Sequence, residues 1–397
     1  VRRIAALLLL VGCGTAAPAI DPPQDPFFTA AEWRRIRRLS PVPPLPPSPT
    51  NRYADNPRAA ALGRALFEDT GFSSDNRVAC ATCHQPDRAF ADGRPVSLGR
   101  DRGTRNAPSL LFAAFGRWKL WDGAADSLWS QPILALENQR EHATSRLAVA
   151  HRIASAYRDR YQTVFGPLPP LEDRARFPAQ GRPGDAAWEQ MTAEDREAVH
   201  RVIANVGKSI EAYERTLTAA PAPFDRYVAG AHDAISPQAR DGLRIFLRVG
   251  CTGCHDGPLF SDQDFHNLRS PDDPMSGGDT GRLAGIATAL ASPFNTTGAF
   301  SDDRTVWPLT GYAPDPSQRG QFRTPPLRGV ARTAPYGHAG ALTTLAEVIR
   351  HDARGGLDAD DPGALGDLDP GLMPFSVTDD QVAALVAFLE ALTPESP

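Results

Sequence analysis

A mainly α fold of two related domains with long irregular loops is what the sequence predicts, on three observations. Cys80-Ala81-Thr82-Cys83-His84 and Cys251-Thr252-Gly253-Cys254-His255 place one C-x-x-C-H pattern in each half of the chain. The flanks repeat too: Gly63-Arg64-Ala65-Leu66-Phe67 and Gly242-Leu243-Arg244-Ile245-Phe246 lie before the two patterns, and Ala89-Phe90-Ala91-Asp92 and Leu259-Phe260-Ser261-Asp262 lie after them. Such self-similarity marks an internal duplication. Elsewhere the apolar spacing is helical, with Val202, Val206, Ile210, Tyr213 and Leu217 on one face at steps of three and four. Near the C-terminus, Thr378 and Gln381 form a capping box ahead of Val382, Leu385, Val386, Leu389 and Leu392.

The 397 residues are 41% hydrophobic and 22% charged, enough for two buried cores, and this excludes wholesale disorder. The 38 prolines and 33 glycines favour long irregular connections, expected over Pro167–Pro183 and Pro271–Pro316. Acidic side chains outnumber basic ones, 47 to 42, and Lys119 and Lys208 are the two lysines. With the arginines scattered and no basic block present, no nucleic-acid partner is expected. No apolar run reaches the ~18 residues a membrane span needs.

The first residues read as an address. Arg2 and Arg3 precede a short apolar stretch, Ile4 to Val11, in the pattern of an export signal. Leu10-Val11-Gly12-Cys13 resembles the lipobox of bacterial lipoproteins, which implies cleavage before Cys13 and lipidation of that residue. Several acyl chains on one residue give stable membrane anchoring. The alternative is an ordinary signal with an incidental cysteine, and export to the periplasm follows either way. Gly14 stands where an inner-membrane retention signal would place Asp, so the outer membrane is favoured. The expected division is a signal over 1–12, a lipid-anchored proline-rich tether over 13–56, one domain over 57–235 and another over 236–397. The competing reading of the proline-rich segment is a loop packed on a domain.

C-x-x-C-H is the attachment pattern for c-type haem. Two thiols on one helical turn reach the two vinyl groups of a porphyrin, and the next residue carries an imidazole to the iron. A four-cysteine zinc site would not need a histidine after each pair. Two covalent haem c groups are therefore expected, one on Cys80, Cys83 and His84, the other on Cys251, Cys254 and His255, in two cytochrome c-like haem domains.

Beyond these motifs the chain resembles the bacterial di-haem cytochrome c peroxidase family, including its relatives that mature a tryptophan-derived quinone. The resemblance runs from about Asn56 to Leu392. It rests on Arg105-Asn106-Ala107-Pro108-Ser109, Trp121-Asp122-Gly123, Phe265-His266-Asn267, Arg323-Thr324-Pro325-Pro326-Leu327-Arg328 and Thr333-Ala334-Pro335-Tyr336-Gly337-His338-Ala339-Gly340. It implies that hydrogen peroxide reacts at the first haem and that the second stores and relays electrons from a small donor protein, a cytochrome c or cupredoxin. Trp121 matches the tryptophan between the haems, and Glu141, ten residues beyond Gln131, matches the catalytic glutamate. One carboxyl can take a proton from the inner peroxide oxygen and return it to the outer one. The rival readings are a core aromatic for Trp121 and a surface charge for Glu141. Asn106, Thr333 and Pro335 match positions that hold calcium, a hard ion suited to amide and carbonyl oxygens; a turn without metal is the alternative. A homodimer is a further expectation.

Two departures stand out. Arg100 occupies the position of a histidine that blocks the first haem in many relatives, and arginine is a very poor iron ligand. The first haem is thus expected to be open, with Arg100 either stabilising a peroxide anion or facing solvent. At the second haem, Asp352 stands where Met or Tyr is usual. The neighbouring His351 is the expected sixth ligand, with Met373, Met275 or a five-coordinate iron as alternatives. Ala124, Gly329 and Ala339 replace an expected arginine, asparagine and aspartate. His142, His151, His200, His232, His266 and His338 are structural or surface residues by default. The expected activity is reduction of hydrogen peroxide to water. The alternatives are oxidation of a partner protein's side chain and non-catalytic electron transfer or redox sensing.

Overall fold

The computed structural model describes residues 24–361 and 363–394. The export signal and Cys13 lie outside the described residues. Within them the chain is mainly α, as expected, with thirteen α-helices and one short antiparallel strand pair.

In the N-terminal part, α1 (Ala30–Ile36) begins at a Thr29–Glu32 capping box, and α2 (Pro57–Glu68) begins with the Asn56 side chain accepting from the backbone of Arg58 and Ala59. The first motif folds as a single turn, α3 (Cys80–Cys83). Then come α4 (Gln131–Glu137), α5 (Arg146–Ala156), α6 (Arg158–Phe165), the short α7 (Ala186–Glu189) and the long α8 (Ala193–Glu214). In the C-terminal part, α9 (Pro223–Val228) and α10 (Pro237–Arg248) lead to the second motif. After it come α11 (Arg282–Ala291), α12 (Leu345–Ala353) and α13 (Asp379–Glu390), the last starting at the expected Thr378–Gln381 box. Strands β1 (Phe265–His266) and β2 (Phe322–Arg323) pair with Phe265 opposite Arg323.

Two helix crossings, built alike, organise this sequence of elements. Helix α2 crosses α8 so closely that a β-carbon on Gly63 would sit 1.8 Å from the Ser209 carbonyl oxygen. At the crossing of α10 and α13, a β-carbon on Gly242 would lie 1.9 Å from the Ala384 carbonyl oxygen. One turn later the aromatics meet: Phe67 and Tyr213 at 5.2 Å, Phe246 and Phe388 at 5.2 Å. The repeated Gly-x-x-x-Phe of the sequence is therefore a packing unit, with glycine setting the approach and phenylalanine filling the space below it.

Each crossing anchors one apolar core. The first gathers Leu62, Phe67, Ile133, Leu147 and Val206; the second gathers Leu243, Phe246, Ile349, Leu385 and Phe388. One expectation changes here. Residues 24–56 do not form a free tether, because Phe28, Trp33, Ile36 and Leu39 are buried in the second core. Four large apolar side chains within twelve residues have enough surface to hold the segment down, which is the packed alternative. Phe224, Tyr227, Val228 and Ile235, which precede the expected boundary after residue 235, also pack in the second core.

A buried ion pair ties residues 24–56 in place. Arg328 donates to both oxygens of Asp225 at 2.8 and 2.9 Å, and also to the carbonyls of Leu39 and Pro258. Ser40 completes the carboxylate's shell at 2.7 Å. Burial alone would raise the Asp225 carboxyl; the Arg328 guanidinium and these hydrogen bonds hold it below the usual range. The expected loop Pro271–Pro316 is also not wholly irregular, because α11 interrupts it. Its start at Gly281 carries no side-chain cap, so the sequence lacked a start signal. Burial of Ile286 and Ala289 against Trp118 supplies the stability instead.

In the haem-loaded protein, Gly63→Ala and Gly242→Ala should each cost about 1–3 kcal/mol by overpacking. Thermal unfolding followed by far-UV circular dichroism checks this, and wild-type midpoints for both variants would refute the crossing as the constraint.

Candidate active site

Both motif histidines are oriented in the same way. His84 Nδ1 lies 2.9 Å from the Phe90 carbonyl, and His255 Nδ1 lies 2.7 Å from that of Phe260. A proton on Nδ1 serves these bonds and leaves the Nε2 lone pair of each ring free for a metal. Phe90 and Phe260 both adopt left-handed backbone, at φ 60° and 53°, so the duplication extends to the turn that presents the carbonyl.

Among the described residues Cys80, Cys83, Cys251 and Cys254 are in no disulfide. Burial pushes the Cys83 thiol up to about 12, helped by Asp92 and Glu141, and raises Cys80 too, helped by Glu214 and Glu141. Burial and the nearby Asp352 carboxylate likewise put Cys251 at about 12.

Beside His84 opens a cavity of about 270 Å³, lined by Cys83, Trp118, Trp121, Gln131, Glu141 and Arg323 among others. A smaller one of about 50 Å³ shares Cys83, His84, Gln131 and Glu141 and adds Cys80, His142 and Glu214. The polar groups here suit a bound macrocycle with anionic side groups. Arg323 donates only to neutral acceptors, the Leu120 carbonyl at 3.3 Å and the Gln263 amide at 3.0 Å, and burial lowers it to about 10. Glu214 Oε2 is buried with no partner. These residues fit a haem held by Cys80, Cys83 and His84.

Glu141 and Trp121 come together at this cavity. The turn after α4 delivers Glu141, whose Oε1 accepts from the Asn138 amide at 2.6 Å. Burial raises its carboxyl to about 7, against the pull of that hydrogen bond and of the Arg105 charge. Trp121 donates its indole N–H to the Asn106 carbonyl at 3.0 Å, and its own carbonyl accepts from the Arg323 N–H at 2.8 Å. Since β2 carries Arg323 and β1 follows the second motif, Trp121 stands at the seam between the two motifs.

Arg100 does not join them. Its side chain is exposed and outside the cavity lining, while its backbone N–H donates to the Glu141 carbonyl at 2.9 Å. This matches the solvent-facing alternative.

His351 is buried on α12. The ring is 1% exposed, with Nδ1 3.0 Å from Arg354 and Nε2 3.3 Å from the Leu268 carbonyl. Both nitrogens are thereby engaged within the protein. Asp352, one step round α12, is the residue whose charge reaches Cys251, and burial raises its carboxyl to about 7. Met275 and Met373 are 76% and 70% exposed.

Asn106 meets the 333–340 segment by donating its backbone N–H to the His338 carbonyl at 2.7 Å. Thr333 gives its hydroxyl to Val330 at 3.0 Å. His338 stacks on Phe322 at 3.7 Å and lies 3.4 Å from an Asp272 oxygen, and His142 is buried and pushed down to about 4 by desolvation. His266 is more than a default surface residue: it bridges Asp262 at 2.8 Å and Asp369 at 2.7 Å, pinning β1 to the second motif's loop. Sequence reasoning missed Glu214. The signal was present, because Glu214 continues the buried stripe of Ile203, Val206 and Ile210 on α8.

Comparison with known proteins agrees with this geometry. The family model for di-haem cytochrome c peroxidase matches residues 57–233. The cytochrome-c peroxidase IdrP2 of Denitromonas iodatirespirans is 32% identical over 86% of this chain and 83% of its own. The methylamine utilization protein MauG of Methylorubrum extorquens is 29% identical over 96% of this chain and 89% of its own. Among solved structures, a MauG-like protein associated with microbial copper homeostasis aligns with TM-score 0.62 at 26% identity, over 89% of this chain and 95% of that one. The diheme peroxidase BthA from Burkholderia thailandensis shares the fold, with TM-score 0.66 at 23% identity over 90% of each chain. With two C-x-x-C-H motifs, the Glu141 carboxyl lining the cavity at the first and a relative 32% identical across most of both lengths, the chain belongs to the di-haem cytochrome c peroxidase family.

Proposed function

We propose that the protein reduces hydrogen peroxide to water at the first motif, with electrons from a small periplasmic redox protein entering through the second. The observation that carries this is Glu141: a carboxyl facing the His84 cavity, lifted by burial to about 7. A group half protonated near neutral pH can both accept and return a proton in one turnover. When bound at His84, the haem supplies the iron and the electrons that cleave the O–O bond. Glu141 takes the proton of the inner peroxide oxygen and delivers it to the outer one. Asn138 fixes the carboxyl's rotamer, and Gln131 lines the same cavity as a further polar contact. Trp121 connects this cavity to the β1–β2 pair beside the second motif.

The proposal extends to an open iron at the first site, since Arg100 lies outside it. It includes calcium held by Asn106 with backbone oxygens at Thr333 and Pro335, and a lipid anchor at Cys13 on the outer membrane.

Glu141→Gln should lower peroxide turnover by about two to four powers of ten with both haems retained. In the wild type, the second-order rate with peroxide should rise with pH through about 7 as Glu141 ionises, and this limb should vanish in Glu141→Gln. Unchanged turnover would favour a non-catalytic electron carrier.

At the second site, His351→Gln should leave the visible spectrum and potential of that haem unchanged, whereas Asp352→Asn should shift the potential. Loss of a low-spin spectrum in His351→Gln would restore histidine as the ligand.

A further inference from the structure

Two tryptophans line the first cavity, and their surroundings are opposite. Trp121 has its N–H on a carbonyl oxygen, a partner that eases loss of an electron because the proton has somewhere to lean. Trp118 lies between two guanidiniums: the Arg282 carbon is 3.9 Å from the ring centre and that of Arg117 is 4.7 Å away. None of the guanidinium–ring stacks among the described residues involves Trp121.

The location of Trp118 makes this contrast consequential. Its ring is 8% exposed and touches the cavity on one side. On the other it meets Tyr312 edge-on at 5.3 Å, and Tyr312 is 40% exposed. Cavity, Trp118, Tyr312 and solvent thus form a short aromatic path from the reaction site to the surface, separate from the Trp121 route to the second motif.

We infer that Arg117 and Arg282 act as an electrostatic barrier that keeps oxidising equivalents from leaving the first site through Trp118 and Tyr312. This rests on the peroxidase reading above. A guanidinium over a neutral indole is a favourable cation–π contact. Removing an electron from that indole turns attraction into repulsion between like charges at short range in a poorly screened site. The pair is therefore attractive to the neutral indole and opposes its oxidation, and Arg117, whose guanidinium carbon is also 5.3 Å from the Tyr312 ring centre, opposes oxidation of that ring as well. The negative group nearest to Arg117 is Asp126, at 3.9 Å, but its Oδ2 is shared by Thr296 N–H at 2.9 Å and the Thr296 hydroxyl at 2.6 Å. Arg117 is held over the ring by the Trp307 carbonyl at 2.9 Å, and Arg282 by the Gly123 carbonyl at 3.1 Å, so both stand fixed.

The leak that the barrier prevents can be balanced. Cleaving one peroxide needs two electrons and two protons. Without a donor protein, Tyr312 would give one electron inward through Trp118 and release its phenolic proton, while the bound haems would give the second electron and solvent the second proton. Two chains that have each consumed one peroxide then carry one tyrosyl radical apiece, and the two radicals couple to one dityrosine cross-link.

The test uses the full haem-loaded chain, mixed with hydrogen peroxide in the absence of an electron donor. The readouts are the tyrosyl signal in freeze-quench electron paramagnetic resonance and dityrosine-linked dimers on denaturing gels. Arg117→Gln should raise both by at least about tenfold over wild type. Arg117→Lys, which keeps a cation there, should return them towards the wild-type level. Adding Tyr312→Phe to Arg117→Gln should abolish the gain, and Tyr312→Phe alone should leave turnover with a donor protein unchanged. A signal that stays at the wild-type level in Arg117→Gln, or that survives loss of Tyr312, would overturn the barrier while leaving the peroxidase reading intact. Peroxide left unconsumed by wild type would overturn both.

Discussion

The close approach of helices at Gly63 and Gly242 is the constraint on which the two haem-attachment sites depend. Each glycine stands about one and a half turns before its helix ends, and each helix leads into a C-x-x-C-H turn. A carbonyl oxygen of the crossing helix occupies the space a side chain would need. With the axes locked at that distance, Phe67 falls 6.4 Å from the His84 ring, and Phe246 falls 6.0 Å from Phe260, the residue whose carbonyl orients His255. The crossing therefore sets the depth at which each imidazole is buried. Left-handed backbone at Phe90 and Phe260 is unfavourable for a bulky residue, by about 1–3 kcal/mol at each site. It persists because the phenylalanine side chains are fully packed in their cores, 6% and 0% exposed.

Burial also explains the chemistry at the first site. Carboxyl groups there have little solvent, so Glu141 and Glu214 are lifted to about 7 and about 8. Desolvation is the larger influence in both, with Glu211 adding to it at Glu214 and Lys119 opposing it. The same desolvation keeps the thiols neutral. One physical cause thus supplies a proton carrier matched to neutral pH and cysteines without thiolate reactivity. At the second site Asp352 lies beside the Cys251 thiol, and His266 is clamped between two carboxylates.

Much of this was legible in the sequence, for a reason that can be stated residue by residue. Cys, His and the repeated Gly-x-x-x-Phe are local patterns, and their spacing carries the geometry directly. The capping box at Thr378 and the stripe on α8 are likewise local. Side-chain direction was not legible. His351 and Asp352 are adjacent, and one step round a helix turns one towards Leu268 and the other towards Cys251. Arg100 is near Glu141 in the fold, but only its backbone faces that residue. The packing of 24–56 was hidden because prolines dominate its composition while four apolar side chains decide its place. Helix α11 was hidden because its stability comes from tertiary contact rather than from caps or propensity.

The unexpected residues at 124, 329 and 339 follow the same rule, that position in space matters more than position in sequence. Ala124 stands where an arginine was expected after Trp121-Asp122-Gly123, and it is buried. A guanidinium nevertheless reaches that turn, because Arg282 on α11 donates to the carbonyls of Asp122 and Gly123 at 3.3 and 3.1 Å. That route is open only because Gly285 lets α11 approach: a β-carbon there would lie 2.1 Å from the Asp122 carbonyl oxygen. Gly329 takes a left-handed turn at φ 76°, a conformation that the expected asparagine also tolerates, so the exchange is conservative for the backbone. Only Ala339 lacks such a substitute, being a buried methyl where a carboxylate was expected. The charge at the Trp121 turn is thus supplied by a helix the sequence pattern did not reveal. The same arginine reaches both tryptophans' surroundings, bonding to the turn after Trp121 and stacking on Trp118. One side chain therefore couples the support of one aromatic route to the suppression of the other.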